Sequence, residues 1–186
     1  PNGGKQTLAD THEGKRFNSP NDLAIRKNGD VYFTDPPYGL PRENQGAFRE
    51  LPFCGVFRVT AEREVTLLDK SLDRPNGIAF SPDEKTLYVA NSHGPLPVIM
   101  AFAVKEDGAL EPGHVFFDTK GLEGPGAPDG IKVDAEGNVF STGPDGLLIL
   151  SPEGKLLGRI RCGRATANVA FGSDGKVLFL TSKDRL

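Results

Sequence analysis

The chain is 186 residues long and carries 22 Lys and Arg against 25 Asp and Glu, a formal net charge of −3 at pH 7. That length suits one domain, and charges spread along the chain offer no basic stripe to nucleic acid. No apolar run nears the roughly 20 residues that a membrane-crossing helix needs, and no charged start leads into an apolar segment with a small-residue cleavage site, so no membrane partner is expected. Pro1 without an initiator Met points to a natural N-terminus further upstream, and localisation stays open.

In chain order, one pattern comes four times. SPNDLAIRKNGDVYFTD begins at Ser19, RPNGIAFSPDEKTLYVANS at Arg74, APDGIKVDAEGNVFSTG at Ala127 and TANVAFGSDGKVLFLTS at Thr166. Each copy opens on Asn or Asp and runs into a short apolar strand, over residues 23–25, 78–80, 131–133 and 169–171. A turn rich in Gly and Asp and a second strand of β-branched and aromatic residues complete a hairpin. Further strand-like runs lie between the hairpins, at 56–59 with 65–68, 99–104 with 115–118, and 147–150 with 156–160. Residues 6–10 read as the tail of an earlier unit.

Four short strands per unit, with steps of 55, 53 and 39 residues between Asn21, Asn76, Asp129 and Asn168, give the period of β-propeller blades. The expected fold is therefore all-β: a propeller fragment of about three complete four-stranded blades with partial blades at both ends. Residues 1–186 would form a single, incomplete domain, because half-blades leave unpaired strand edges.

In a propeller the first strand of each blade lines the central channel, so residues just before it converge on the axis. Here that column is Asn21, Asn76, Asp129 and Asn168. Their side-chain oxygens suit a hard cation, which takes about six to eight oxygen ligands without strict geometry. The same residues are also ordinary turn formers. Asp129 is the only acid of the four and so the candidate for the charge a metal needs.

The loop over 35–55 has no strand character of its own, and loops of this length in compact domains are often lids or binding loops. It offers Tyr38 and Arg49 as substrate contacts. His93, in ANSHGP, is a further candidate contact, although such a residue is more often a plain polar loop residue. No G-x-S-x-G elbow is present and His12, His93 and His114 are scattered, so a serine triad has no support. Cys54 and Cys162 fit neither a disulfide framework nor a zinc pattern and read as unrelated free thiols.

The segments RFNSPNDLAI, FTDPPYGL, RPNGIAFSPDEKTLYVAN and APDGIKVDAEGNVF together resemble the gluconolactonase and regucalcin family of six-bladed propellers, the SMP-30-like proteins. The resemblance spans nearly the whole chain. It implies hydrolysis of a small-molecule sugar lactone at one divalent metal on the channel axis, held by a Glu, an Asn and an Asp. Matched motif to motif, Asn76 falls on the Asn ligand and Asp129 on the Asp ligand. Asn21 falls on a second Asn near the metal that helps hold substrate or water, and Arg16, more loosely, on a substrate-contacting Arg. The family's Glu has no counterpart here.

Calcium is the first candidate ion, with zinc, magnesium and manganese as alternatives, zinc being disfavoured by the lack of His and Cys near the column. Asp129 is the candidate for both metal ligand and catalytic base, two tasks that compete. The rival readings are another lactonase or esterase of the same architecture and a propeller that only binds. Oligomeric state is not legible.

Overall fold

The computed structural model describes residues 3–42, 45–92, 94–183 and 185. The chain begins with a two-stranded ladder of β1 (Thr11–His12) and β2 (Lys15–Arg16). Next comes a four-stranded sheet of β3 (Leu23–Ile25), β4 (Val31–Asp35), β5 (Gly55–Val59) and β6 (Val65–Asp69), with a single helical turn, α1 (Gln45–Phe48), between β4 and β5. A second sheet holds β7 (Pro75–Phe80), β8 (Thr86–Asn91), β9 (Val98–Ala103) and β10 (His114–Asp118). A third holds β11 (Ile131–Val133), β12 (Val139–Gly143), β13 (Gly146–Leu150) and β14 (Leu156–Arg161). The described chain closes with the ladder of β15 (Asn168–Phe171) and β16 (Leu178–Thr181).

Every sheet is antiparallel, with its strands in sequence order. The all-β class and the four-stranded units read from the repeats are therefore present. Residues 6–10 carry no strand; the first hairpin falls instead on 11–16. Its turn residues, Glu13 and Gly14, have φ of 52° and 75°. Two successive left-handed residues make the tight turn that matches strand twist, usually marked by Asn-Gly or Asp-Gly. Glu-Gly lies outside that pattern and hides the hairpin from sequence reading.

The sheets pack face to face, and the alternation of side chains along each strand decides which neighbour each residue meets. In β8, Leu87 and Val89 join Tyr32, Val56, Leu72, Ile78 and Phe102 in the core between the first two sheets. The intervening Tyr88 and Ala90 join Ala79, Ile99, Ala101, Ile131, Val139 and Leu150 between the second and third. On the far face of the first sheet, Phe33, Leu51 and Phe57 are buried beneath Phe17 and Phe53, with edge-on and stacked rings. A strand buried on both faces has no polar alternation to show, as VYFTD and TLYVAN illustrate.

Polar contacts join the first two sheets at their outer turns. Glu84 has φ of 58°, where Gly29, Gly137 and Gly175 occupy the matching turn positions of the other hairpins. Its carboxylate accepts from Lys27 N at 2.8 Å and lies 3.6 Å from Arg26 Nε. This carboxylate ties two blades together, which gives a reason for a non-glycine residue in a conformation that favours glycine.

Candidate active site at the inner strand ends

The first strands of successive sheets, β3, β7, β11 and β15, lie side by side. Their entry residues are tied directly: Gly77 N donates to Asp129 O at 3.0 Å, and Gly130 N to Ala167 O at 2.9 Å. The backbones approach so closely that a Cβ on Gly77 would lie 2.0 Å from Asp129 O, and one on Gly130 2.2 Å from Asn168 Oδ1. Glycine after the column residue is thus a packing requirement in those copies. The first copy has Asp22 there, and its Oδ2 accepts from Ile78 N at 3.4 Å.

A threonine on the second strand steadies this arrangement. Thr34 Oγ1 donates to Asn76 O at 2.7 Å, and Thr142 Oγ1 accepts from Asp129 N at 3.0 Å. Thr181 Oγ1 reaches Asn168 O at 3.4 Å.

These contacts surround a cavity of about 630 Å3 lined by Asn21, Tyr38, Asn76, Ser92 and Asp129, with Arg42, Lys183 and residues 126–127 and 165–167. Asn76 is nearly fully buried, and its amide orientation follows from its neighbour. Ser92 Oγ donates to Pro128 O, an acceptor only, so it must accept from Asn76, whose Nδ2 lies 2.9 Å away. That leaves Asn76 Oδ1 buried with no hydrogen-bond partner among the described residues. An orphaned buried acceptor costs of the order of 1–3 kcal/mol and calls for a functional account.

Asp129 is half-buried beside it. Burial pushes its carboxyl up from an ordinary 3.8 to about 6, the charge of Asp22 adds to the rise, and the Asn76 amide pulls the other way. Burial likewise raises the Tyr38 phenol, against the lowering effects of Ser92, Arg74 and Asn76 and with a further upward push from Asp129. A carboxyl held near neutrality in a cavity is the usual mark of a functional group.

Of the expected site residues, Asn21, Tyr38, Asn76 and Asp129 share this cavity. Asn168 does not line it; its Oδ1 accepts from Val169 N at 2.8 Å, within its own strand. Arg16 is exposed and engaged elsewhere, its Nε 2.5 Å from Glu50 Oε1 and its backbone N 2.7 Å from Oε2. Arg49 turns inward, donating to Asn18 Oδ1 at 3.2 Å and reaching Cys54 Sγ at 3.4 Å. His93 lies outside the described residues. Both cysteines are free, Cys54 buried and Cys162 partly so.

Ser92, Asp22 and the threonines were not singled out in the sequence. The threonines do recur, each 13 residues after its column residue in three of the four hairpins, which is a spacing signal the repeat carries.

Asn76 Oδ1 and Asp129 fit a hard cation: one neutral and one anionic oxygen, the first lacking any other partner. Among the described residues no three His, Cys, Asp or Glu side chains cluster to hold a metal. An ion here would therefore lean on amide and carbonyl oxygens beside Asp129.

Bladed antiparallel sheets with an oxygen-lined cavity at their inner strand ends define a propeller-type class of protein. Within it, the chain belongs to the SMP-30/gluconolactonase/LRE-like family, matched over residues 1–184. It is 40% identical over 187 residues to a gluconolactonase of Zymomonas mobilis, covering 96% of this chain and 52% of that protein. The structure of a gluconolactonase from Xanthomonas campestris superposes with a TM-score of 0.83 at 38% identity, covering 94% of this chain and 58% of that one. A putative gluconolactonase gives 0.86 at 32% identity, over 98% and 62% of the two chains. The chain spans about half the length of the curated relatives it matches.

Proposed function

We propose that the full-length protein is a metal-dependent hydrolase that opens a sugar lactone at the cavity lined by Asn21, Asn76 and Asp129. We further propose that this chain, as one incomplete domain, contributes its blades to a six-bladed ring. The observation that carries the reading is the pairing of a buried, unpartnered Asn76 Oδ1 with an Asp129 carboxyl raised to about 6. Family membership and the gluconolactonases it resembles supply the reaction class.

In this reading Asn76 Oδ1 and Asp129 hold a divalent cation, calcium first, as two of its about six to eight oxygens. Such an ion supplies Lewis-acid polarisation of a carbonyl and makes water more acidic. Asp129 also takes the proton from the attacking water, a role that competes with holding the cation, because a bound ion draws the carboxyl back down. Ser92 fixes the Asn76 amide, Asn21 orients the lactone by hydrogen bonds, and Tyr38 covers the cavity. Arg16 would contact substrate only by leaving Glu50.

The test is a panel of sugar lactones, acyl lactones and aryl esters offered to the full-length protein, with and without a chelator. Opening of sugar lactones that stops on chelation supports the proposal. Turnover of aryl esters alone would favour an esterase of the same architecture, and no turnover with the fold intact would favour a binding propeller.

A further inference from the structure

The cavity is lined by groups of both charges. Asp129, on which the charge of Asp22 acts, is acidic, whereas Arg42 and Lys183 are basic. A second cavity, of about 360 Å3, borders the first and is lined by Tyr38, Arg42, Gln45 and Arg74, so Tyr38 and Arg42 belong to both. Arg42, Arg74 and Lys183 thus line two adjoining cavities in a chain of net charge −3.

Arg74 is held in place from both sides of its backbone. Its N–H donates to Asn91 Oδ1 at 2.9 Å, and its carbonyl accepts from Ser92 N at 3.0 Å. Its guanidinium lies over the Tyr38 ring, 5.6 Å from the centroid. Stacking on an aromatic face leaves the planar fork of donors free at its edge. Among the described residues neither Arg42 nor Arg74 forms an ion pair with a carboxylate. Tyr38 thus lies between the Asn76 and Asp129 side of the first cavity and two guanidiniums that have no carboxylate partner among the described residues. Hydroxyl groups are served well enough by amides and serine, but a pair of guanidiniums is matched to an oxyanion.

We propose that Arg42 and Arg74 form a subsite for an anionic group, so that the favoured lactone carries a phosphate, sulfonate or carboxylate on its terminal carbon while its ring carbonyl meets Asn76 and Asp129. The inference rests on the lactone-opening reading for the substrate's other end. Lys183, which lines the first cavity together with Arg42, adds to the field that draws in an anion.

The test compares gluconolactone with counterparts bearing a terminal phosphate, sulfonate or carboxylate, on the full-length protein and its Arg42→Gln/Arg74→Gln variant, with circular dichroism as the folding control. The wild type is expected to favour at least one anionic lactone by roughly tenfold or more in kcat/KM, a preference that charge-assisted contacts supply. The variant should lose most of that ratio, and added salt should raise KM for the anionic lactone alone. Which of the three is favoured identifies the oxyanion.

Neutral and anionic lactones opened equally well, with a ratio the variant leaves unchanged, would overturn this inference and leave lactone hydrolysis standing. If no lactone is opened, the lactone reading fails, and calorimetry with the open-chain phosphorylated aldonic acid decides the subsite. Binding by the wild type that the variant loses retains the subsite, and equal or absent binding removes it.

Discussion

Two carboxylates are raised by burial, and their surroundings could hardly differ more. Asp35, at the end of β4, is completely buried, yet it accepts from Asn18 N at 2.8 Å, Asn18 Nδ2 at 3.0 Å and Ser19 N at 2.6 Å. Asn18 in turn donates to Phe53 O and accepts from Arg49, so the long loop is fastened at both ends to the segment before β3. Asp129, less buried, is pushed up by another carboxylate in Asp22, with the Asn76 amide pulling the other way. A buried charge with its donors in place is an anchor; one whose donors are missing is stabilised by something else or kept reactive.

The largest effect expected on that contrast comes from Asp129→Asn. It should lower lactone kcat/KM by about 1,000-fold or more, as removal of a group acting at the reacting centre does, while leaving the fold intact. Asp35→Ala should do the reverse, costing about 3 kcal/mol in stability by stranding the backbone donors of Asn18 and Ser19. Denaturant melts read that loss, and activity per folded molecule should fall far less than in Asp129→Asn. A large activity loss in Asp35→Ala without destabilisation would erase the distinction.

Stability against pH runs in the same direction at both sites, since both carboxyls are raised, and substitution at Asp129 isolates its share. Folded Asp129 keeps its proton to about 6 against an ordinary 3.8, so its contribution to stability is fully present below about 3.8 and is lost as pH rises through 6. In chelator, Asp129→Asn should remove this decline and melt higher than wild type at neutral pH. A divalent cation should do likewise for the wild type by drawing the carboxyl back down. Asn76→Ala should cost roughly 10- to 100-fold in activity or metal affinity, and Ser92→Ala only a few-fold, since it merely frees the amide to turn.

How much of this was readable in advance follows from the same physics. A repeat copies its inner strand and the residue before it, so Asn21, Asn76 and Asp129 stood out as one column and prove to share one cavity. Asn168 belongs to the column by sequence but not to the cavity lining, because its side chain closes on Val169 N and packs against Gly130. The loop anchor was hidden, since Asn18 pairs with Asp35 and Arg49 over 17 and 31 residues with no periodic mark. Arg16 looked available to a substrate because sequence says nothing of Glu50, 34 residues on.

The central claim is that Asn76 and Asp129 together hold one divalent cation, and titration calorimetry tests it most directly. Metal-free full-length protein, with its Asn76→Ala and Asp129→Asn variants, would be titrated with calcium, magnesium and manganese. The account predicts one ion per chain for the wild type, bound at least ten times more weakly by each variant, in line with loss of a ligand or its support. Binding of equal strength in all three proteins would contradict it, as would lactone opening by a wild type that binds no ion.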